Sequence, residues 1–140
     1  MEKKNSVEVV AAVIVKDGCI LATQRGYGEF KGKWEFPGGK MEKGEGEEAA
    51  LKREIKEELH ADIDVIDYLD TVQYDYPDFH LVMHTYVCAL RNDLEFVYHN
   101  GKELEHDNMV WLDKNDLDHL DWLPADLQVI RDYKKLRIVK

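Results

Sequence analysis

The stretch Gly38-Gly39-Lys40-Met41-Glu42-Lys43-Gly44-Glu45-Gly46, continuing as Glu47-Glu48-Ala49-Ala50-Leu51-Lys52-Arg53-Glu54-Ile55-Lys56-Glu57-Glu58-Leu59-His60-Ala61, decides how the rest of the chain reads. Pro37-Gly38-Gly39 ends whatever extended run precedes it, so a loop is expected next. From about Glu47 to Leu59 the residues are strong helix formers, and Leu51, Ile55 and Leu59 recur at four-residue spacing as a core stripe. On a wheel of about 100° per residue, Glu54, Glu57 and Glu58 project together from a face beside that stripe. Like charges at such spacing repel by a few tenths of a kcal/mol per pair, and glutamates near a helix C-terminus also oppose the macrodipole. A solvated acidic face is the ordinary reading of a Glu-rich helix. The other reading is a face that receives a cation: oxygen-only ligands on one rigid surface suit a hard divalent ion such as Mg²⁺, with Mn²⁺ as a substitute, held also by water and substrate phosphates.

The spacing favours the second reading. Gly39, five residues, Glu45, seven residues, Arg53-Glu54-Ile55, one residue, Glu57-Glu58, one residue and His60-Ala61 together resemble the Nudix box, in which several residue types stand at fixed offsets over about twenty-three positions. The match departs at its end, where the family's glycine is His60 and its closing aliphatic is the small Ala61. That glycine position ends the helix with positive φ, which His visits at modest cost. The lead-in Trp34-Glu35-Phe36-Pro37-Gly38-Gly39-Lys40 is similar to that of MutT-type enzymes and of CTP pyrophosphohydrolases, and the likeness extends over most of the chain.

What the resemblance implies can be placed residue by residue. Glu54, Glu57 and Glu58 would be metal ligands, joined by the carbonyl of Gly38 and by Glu105, which stands six residues before Trp111. Glu54, Glu57 and Glu105 are the catalytic candidates, with the general base either Glu54 or Glu105. Read without the family, Glu105 lies in the polar stretch Asn100 to Asn108 and is an ordinary surface carboxylate. Arg25, ending the second strand, resembles a phosphate-contacting Arg. Bare backbone at Gly38 and Gly39 lets a carbonyl and the phosphates approach closely. Arg53 is assigned a structural role: its guanidinium holds Glu45 bidentately and fixes the loop against the helix.

Phe36, Tyr76 and Phe79 either wall a base pocket or pack in the core. Asp126, in Leu123-Pro124-Ala125-Asp126, matches the place where MutT-type sequences carry a base-reading Asn. A carboxylate in the first turn of a helix is the alternative account of it. An ionised Asp only accepts hydrogen bonds, so Asp126 would prefer an exocyclic amine, as on cytosine. Phe79 falls where MutT-type enzymes carry a basic base-contacting residue, a second departure from an 8-oxo-guanine assignment.

Outward from this centre the chain is regular. Val7 to Val15 and Cys19 to Gln24 are β-rich and separated by Lys16-Asp17-Gly18, a hairpin signal because Asp-Gly tolerates positive φ. Gly26-Tyr27-Gly28 breaks the pattern, and Trp34-Glu35-Phe36 is a short extended piece. Ile63 to Tyr76 and Phe79 to Leu90 predict a second hairpin around Pro77-Asp78, and a further strand covers Met109 to Leu112. Asp113 caps a short turn through Leu120. Pro124 then opens a last amphipathic helix with Leu127, Ile130 and Tyr133 facing inward. The order predicts an α+β protein, an α/β/α sandwich with a mixed sheet flanked by helices, and residues 1–140 as one Nudix domain.

Bulk properties bound the rest. At 140 residues with 44% apolar content, the chain suits one core. A net charge of -10 disfavours duplex nucleic acid, whose backbone demands Lys and Arg, yet permits a small phosphorylated substrate when metal ions bridge the like charges. Cys19 and Cys88 show no ligand spacing and read as free thiols of a reducing cytosol. The histidines, His106 included, have no ligand-like spacing and read as surface or pocket-lining. No stretch approaches transmembrane length, so a cytoplasmic monomer or homodimer without membrane partners is expected. The resemblance implies a Mg²⁺-dependent hydrolysis of a nucleoside triphosphate to the monophosphate and pyrophosphate, preferring CTP or a modified (d)CTP. The alternatives are an 8-oxo-dGTP diphosphatase, a Nudix enzyme for another nucleoside diphosphate derivative such as ADP-ribose, and a catalytically silent nucleotide sensor. Lack of an Asp-x-Asp-x-Asp-Gly loop argues against a Ca²⁺-binding EF-hand.

Overall fold

The structure, a computed structural model, describes residues 5–26, 28–92 and 106–139, with the backbone alone at 106–108 and 136–139. Its elements are β1 (Asn5–Lys16), β2 (Cys19–Arg25), β3 (Trp34–Glu35), β4 (Gly38–Lys40), α1 (Glu47–Leu59), β5 (Ile63–Asp75), β6 (Phe79–Leu90), β7 (His106–Asp113), a 3₁₀ turn at Lys114–His119 and α2 (Pro124–Val139). Because a strand sends successive side chains to opposite faces, the continuous apolar run of β1 is buried on both sides, Val10, Ala12 and Ile14 on one and Ala11 and Val13 on the other. This makes β1 the central strand. One of its edges runs parallel to β6, from Asn5 opposite Phe79 to Ile14 opposite Cys88. The other is shared by β4, antiparallel at Val9 to Ala11, and by β2 at Val15 and Lys16.

The first hairpin turns through Asp17 and Gly18 with φ of 50° and 79°. Its strands pair only at Val15–Ile20 and Lys16–Cys19 and then part, β2 pairing instead with β7 and β3. The second hairpin forms as expected and closes with the Tyr76 N–H donating to the Phe79 carbonyl at 2.9 Å. Asp113 caps the 3₁₀ turn by accepting from the Asn115 N–H at 2.9 Å.

Each helix covers one face of the mixed sheet. Ala50, Leu51, Ile55 and Leu59 of α1 pack on Val10, Ala12, Ile14, Leu21, Ile63 and Cys88. Ala125, Val129, Ile130 and Tyr133 of α2 pack with Ala11, Val13, Ile20 and Ala22. Full burial of each large aliphatic side chain contributes about 1.5–3 kcal/mol, so this three-layer α+β arrangement is held mainly by those two seams. Among the described residues no helix is long and apolar enough to cross a membrane.

Three expectations are corrected. Gly38-Gly39-Lys40 is a strand where a loop was expected, because without side chains the backbone can lie directly against β1: a Cβ on Gly38 would collide with the Val10 carbonyl. The strand expected over Met109 to Leu112 extends from His106 to Asp113 along β2. Leu127 of α2 is 39% exposed, and Val129 takes the inward position instead.

Candidate functional site

Glu47 to Leu59 form the expected helix, and its end is set by His60, which takes the left-handed conformation (φ 55°, ψ 35°) while its N–H donates to the Lys56 carbonyl. Upstream of that end, Arg53 ties the preceding loop to the helix. Its Nε and Nη2 donate to the two Glu45 oxygens at 2.6 and 2.8 Å, and Nη2 also reaches the Lys40 carbonyl at 3.1 Å. Nη1 donates to Glu54 at 3.0 Å and to Glu57 at 3.2 Å. The Arg53 guanidinium, helped by the Glu42 N–H, holds the Glu45 carboxyl down at about 2, and Glu45 in turn raises Arg53. This is the clamp read from the sequence, with Glu54 and Glu57 gathered on it as well.

A cavity of about 620 Å³ opens beside this clamp, within the range of small-molecule sites. One end is acidic and backbone-rich, built by Gly38, Gly39 and Lys40 of β4 and Glu54 and Glu58 of α1. A Cβ on Gly39 would strike the Glu54 carboxylate and push it aside, so the bare backbone there leaves Glu54 its place. The other end is apolar and aromatic. Tyr76 packs on Phe30, Tyr74 and Phe79 with ring centroids 5.4, 4.7 and 5.1 Å apart, and Phe36 stacks on Trp122 at 4.8 Å.

At this aromatic end lie four polar side chains, Arg25, Glu35, Asp126 and Tyr76. Arg25 donates to Glu35 through Nη2 at 2.8 Å and Nε at 3.2 Å. Asp126 is 4% exposed, and its Oδ2 accepts the Phe36 N–H at 2.9 Å. Burial pushes its carboxyl up to about 8; Glu35 adds to the rise, while the Phe36 N–H and Arg25 oppose it. The Tyr76 hydroxyl accepts the Ala125 N–H at 3.3 Å and is pushed up to about 12, chiefly by burial.

The structure thus brings Arg25, Phe36, Gly38, Gly39, Glu54, Glu58, Tyr76, Phe79 and Asp126 to one cavity. Glu57 stands outside its lining, 62% exposed and turned onto Arg53. Glu105 lies outside the described residues. Among the described residues no three acidic, His or Cys side chains are gathered in ligand geometry. Glu54 and Glu58 nonetheless offer hard carboxylate oxygens next to bare backbone at Gly38 and Gly39, a donor set that fits a divalent cation between protein and phosphate.

His84 departs from the surface reading of the histidines. It is 9% exposed and bonds Glu8 at 2.6 Å through Nε2 and Thr71 at 3.0 Å through Nδ1. Glu35, Phe30, Leu81 and Met83 belong to the cavity and were not picked out from sequence. Alternation supplies the signal for two of them, because Phe79, Leu81 and Met83 occupy every second position of β6 and share a face. Glu35 sits opposite Thr23 in the β2–β3 ladder, one side chain along from Arg25.

Comparison with known proteins agrees with this geometry. The NUDIX domain family matches residues 4–133. The chain is 30% identical to the CTP pyrophosphohydrolase of Escherichia coli K12, covering 96% of both chains. It is 38% identical to the 8-oxo-dGTP diphosphatase of Proteus vulgaris, covering 67% of this chain and 87% of that one. A crystal structure of a MutT NUDIX hydrolase from Burkholderia pseudomallei superposes with a TM-score of 0.80 at 26% identity, over 92% of this chain and 98% of that one.

Proposed function

Since the chain belongs to the Nudix family and is a nucleotide pyrophosphohydrolase, we propose that it converts CTP or a base-modified (d)CTP and water to the monophosphate and pyrophosphate. The observation that carries this reading is the two-ended cavity, aromatic around Asp126 and acidic around Glu54 and Glu58. A nucleotide laid along it has its base among Phe36, Tyr76 and Phe79 and its phosphates beside Gly38 and Gly39. The CTP pyrophosphohydrolase likeness spans nearly the whole chain and supports the choice of base.

Nudix enzymes use divalent metal ions, and we assign Mg²⁺, with Mn²⁺ as substitute, to Glu54, Glu57, Glu58, the Gly38 carbonyl and Glu105. The chemistry such an ion supplies is neutralisation of phosphate charge and acidification of water. The protein's own part is positional. Arg53 keeps Glu54 and Glu57 on the same side of the helix as the Glu45 loop. Glu54 or Glu105 takes the proton of the attacking water, and Arg25, whose fork Glu35 holds at the aromatic end, bears on the nucleoside side of the substrate.

A panel of CTP, 5-substituted dCTP, UTP, GTP, 8-oxo-dGTP and ADP-ribose in Mg²⁺, read by released pyrophosphate or by product chromatography, tests this. Highest kcat/KM on a cytosine triphosphate is expected. A clear preference for 8-oxo-dGTP, to which the MutT-type likeness points, or for ADP-ribose would replace the substrate while leaving the enzyme class in place.

A further inference from the structure

The charged groups at the aromatic end of the cavity are arranged in an order that bears on base choice. Glu35 of β3 engages the fork of Arg25 through two donors, and its side chain is 13% exposed against 30% for the Arg. Asp126, entering from α2, is held by a backbone N–H and is almost sealed from water. The groups that face it are Glu35 from β3, Arg25 from β2 and the Tyr76 hydroxyl from the loop after β5. Tyr76 is neutral at any physiological pH, so the charge felt by Asp126 depends on how Glu35 and Arg25 divide.

Resting on the cavity's assignment to a nucleotide base, we propose that Glu35 is a specificity-determining residue: by occupying the Arg25 fork it lets Asp126 meet the base as an acid with a hydroxyl to donate and a carbonyl to accept. A carboxylate at that place could only accept. The acid matches a base edge that pairs an exocyclic amine with a ring-nitrogen acceptor, which cytosine presents and uracil does not. This also alters the reason for a cytosine preference given by the sequence, since an ionised Asp126 would satisfy the amine alone. Glu35 touches no substrate in this account and acts through its two neighbours.

The carboxyl ¹³C resonance of Asp126, followed against pH in the substrate-free protein, tests the idea without turnover. Titration near pH 8 is expected in the native chain, and in Glu35→Gln a midpoint at least one unit lower, a tenfold change in proton affinity. Should Glu35→Gln not fold, Glu35→Asp, which withdraws the carboxylate from Arg25, serves in its place with a smaller shift of the same sign. In turnover, the CTP/UTP ratio of kcat/KM should fall at least fivefold as pH rises through 8, should begin to fall a unit lower in Glu35→Gln, and should be independent of pH in Asp126→Asn. A native Asp126 titrating in the ordinary aspartate range, or a midpoint indifferent to Glu35, overturns the proposal. If neither CTP nor UTP is turned over, the substrate assignment fails while the resonance still decides the role of Glu35.

Discussion

Asp126 keeps its proton chiefly because it is buried, and the backbone N–H groups that reach it do not make up for the lost water, so ionising it means burying a charge. Its carboxyl stands higher in the folded protein, at about 8, than in the unfolded chain, so the folded state holds a proton that the unfolded state loses above about pH 4. Stability therefore falls as pH rises between these values and levels off beyond 8. Asp126→Asn, which has no proton to lose, should melt at a higher temperature than the native protein at pH 8, with the difference vanishing near pH 4. A gap that is constant with pH would show that Asp126 does not titrate in that window. Glu45 behaves oppositely: its carboxyl is held down at about 2, so its contribution is complete above about pH 4.5 and disappears as pH drops toward 2. In the sequence both residues are just acidic letters in plausible places. Type and position were legible; burial was not, and burial separates a neutral acid from a clamped carboxylate.

At the level of elements, α1 was the most legible part, since its formers, stripe and terminal position agreed with one another. The structure begins and ends it at Glu47 and Leu59, with His60 left-handed as anticipated. A non-glycine residue in that conformation is less stable than glycine by about 1 kcal/mol, so His60→Gly should raise the melting free energy by roughly that amount in denaturant titration. β4 was illegible for an equally physical reason: two glycines after a proline carry turn signals, whereas here they serve close approach. Gly39→Ala should accordingly disturb Glu54 before it disturbs the sheet, with kcat/KM falling at least tenfold and circular dichroism nearly unchanged. Loss of the whole fold would instead mean that β4 pairing, not the Glu54 carboxylate, is what the missing side chain protects. The expected inward Leu127 failed because a helix phase read from three residues is ambiguous by one position.

Across the whole molecule, charge and layering work together. The chain carries a net charge of -10, and the divalent ions that Nudix enzymes use would offset the repulsion between its carboxylates and a phosphorylated substrate. Ligand that binds only the folded state at a hundred times its Kd stabilises by about 2.7 kcal/mol, so Mg²⁺ should raise Tm by several degrees, and Glu58→Gln should abolish most of that rise. An undiminished rise in this variant would move the ion away from the α1 end of the cavity. The sandwich was legible from the alternation of strand and helix patterns. The pairing of β1 with β6 was not, because a hairpin signal reports neighbours in sequence only, and β1 leaves its hairpin partner after two residue pairs. That parallel pairing also shapes biogenesis: β1 leaves the ribosome long before Leu90, so its apolar edge waits for its main partner during translation. Long-range pairing of this kind slows folding and exposes strand edges meanwhile. Until Phe79–Leu90 has been made, β1 therefore has only its short hairpin with β2 and the three residues of β4 to pair with.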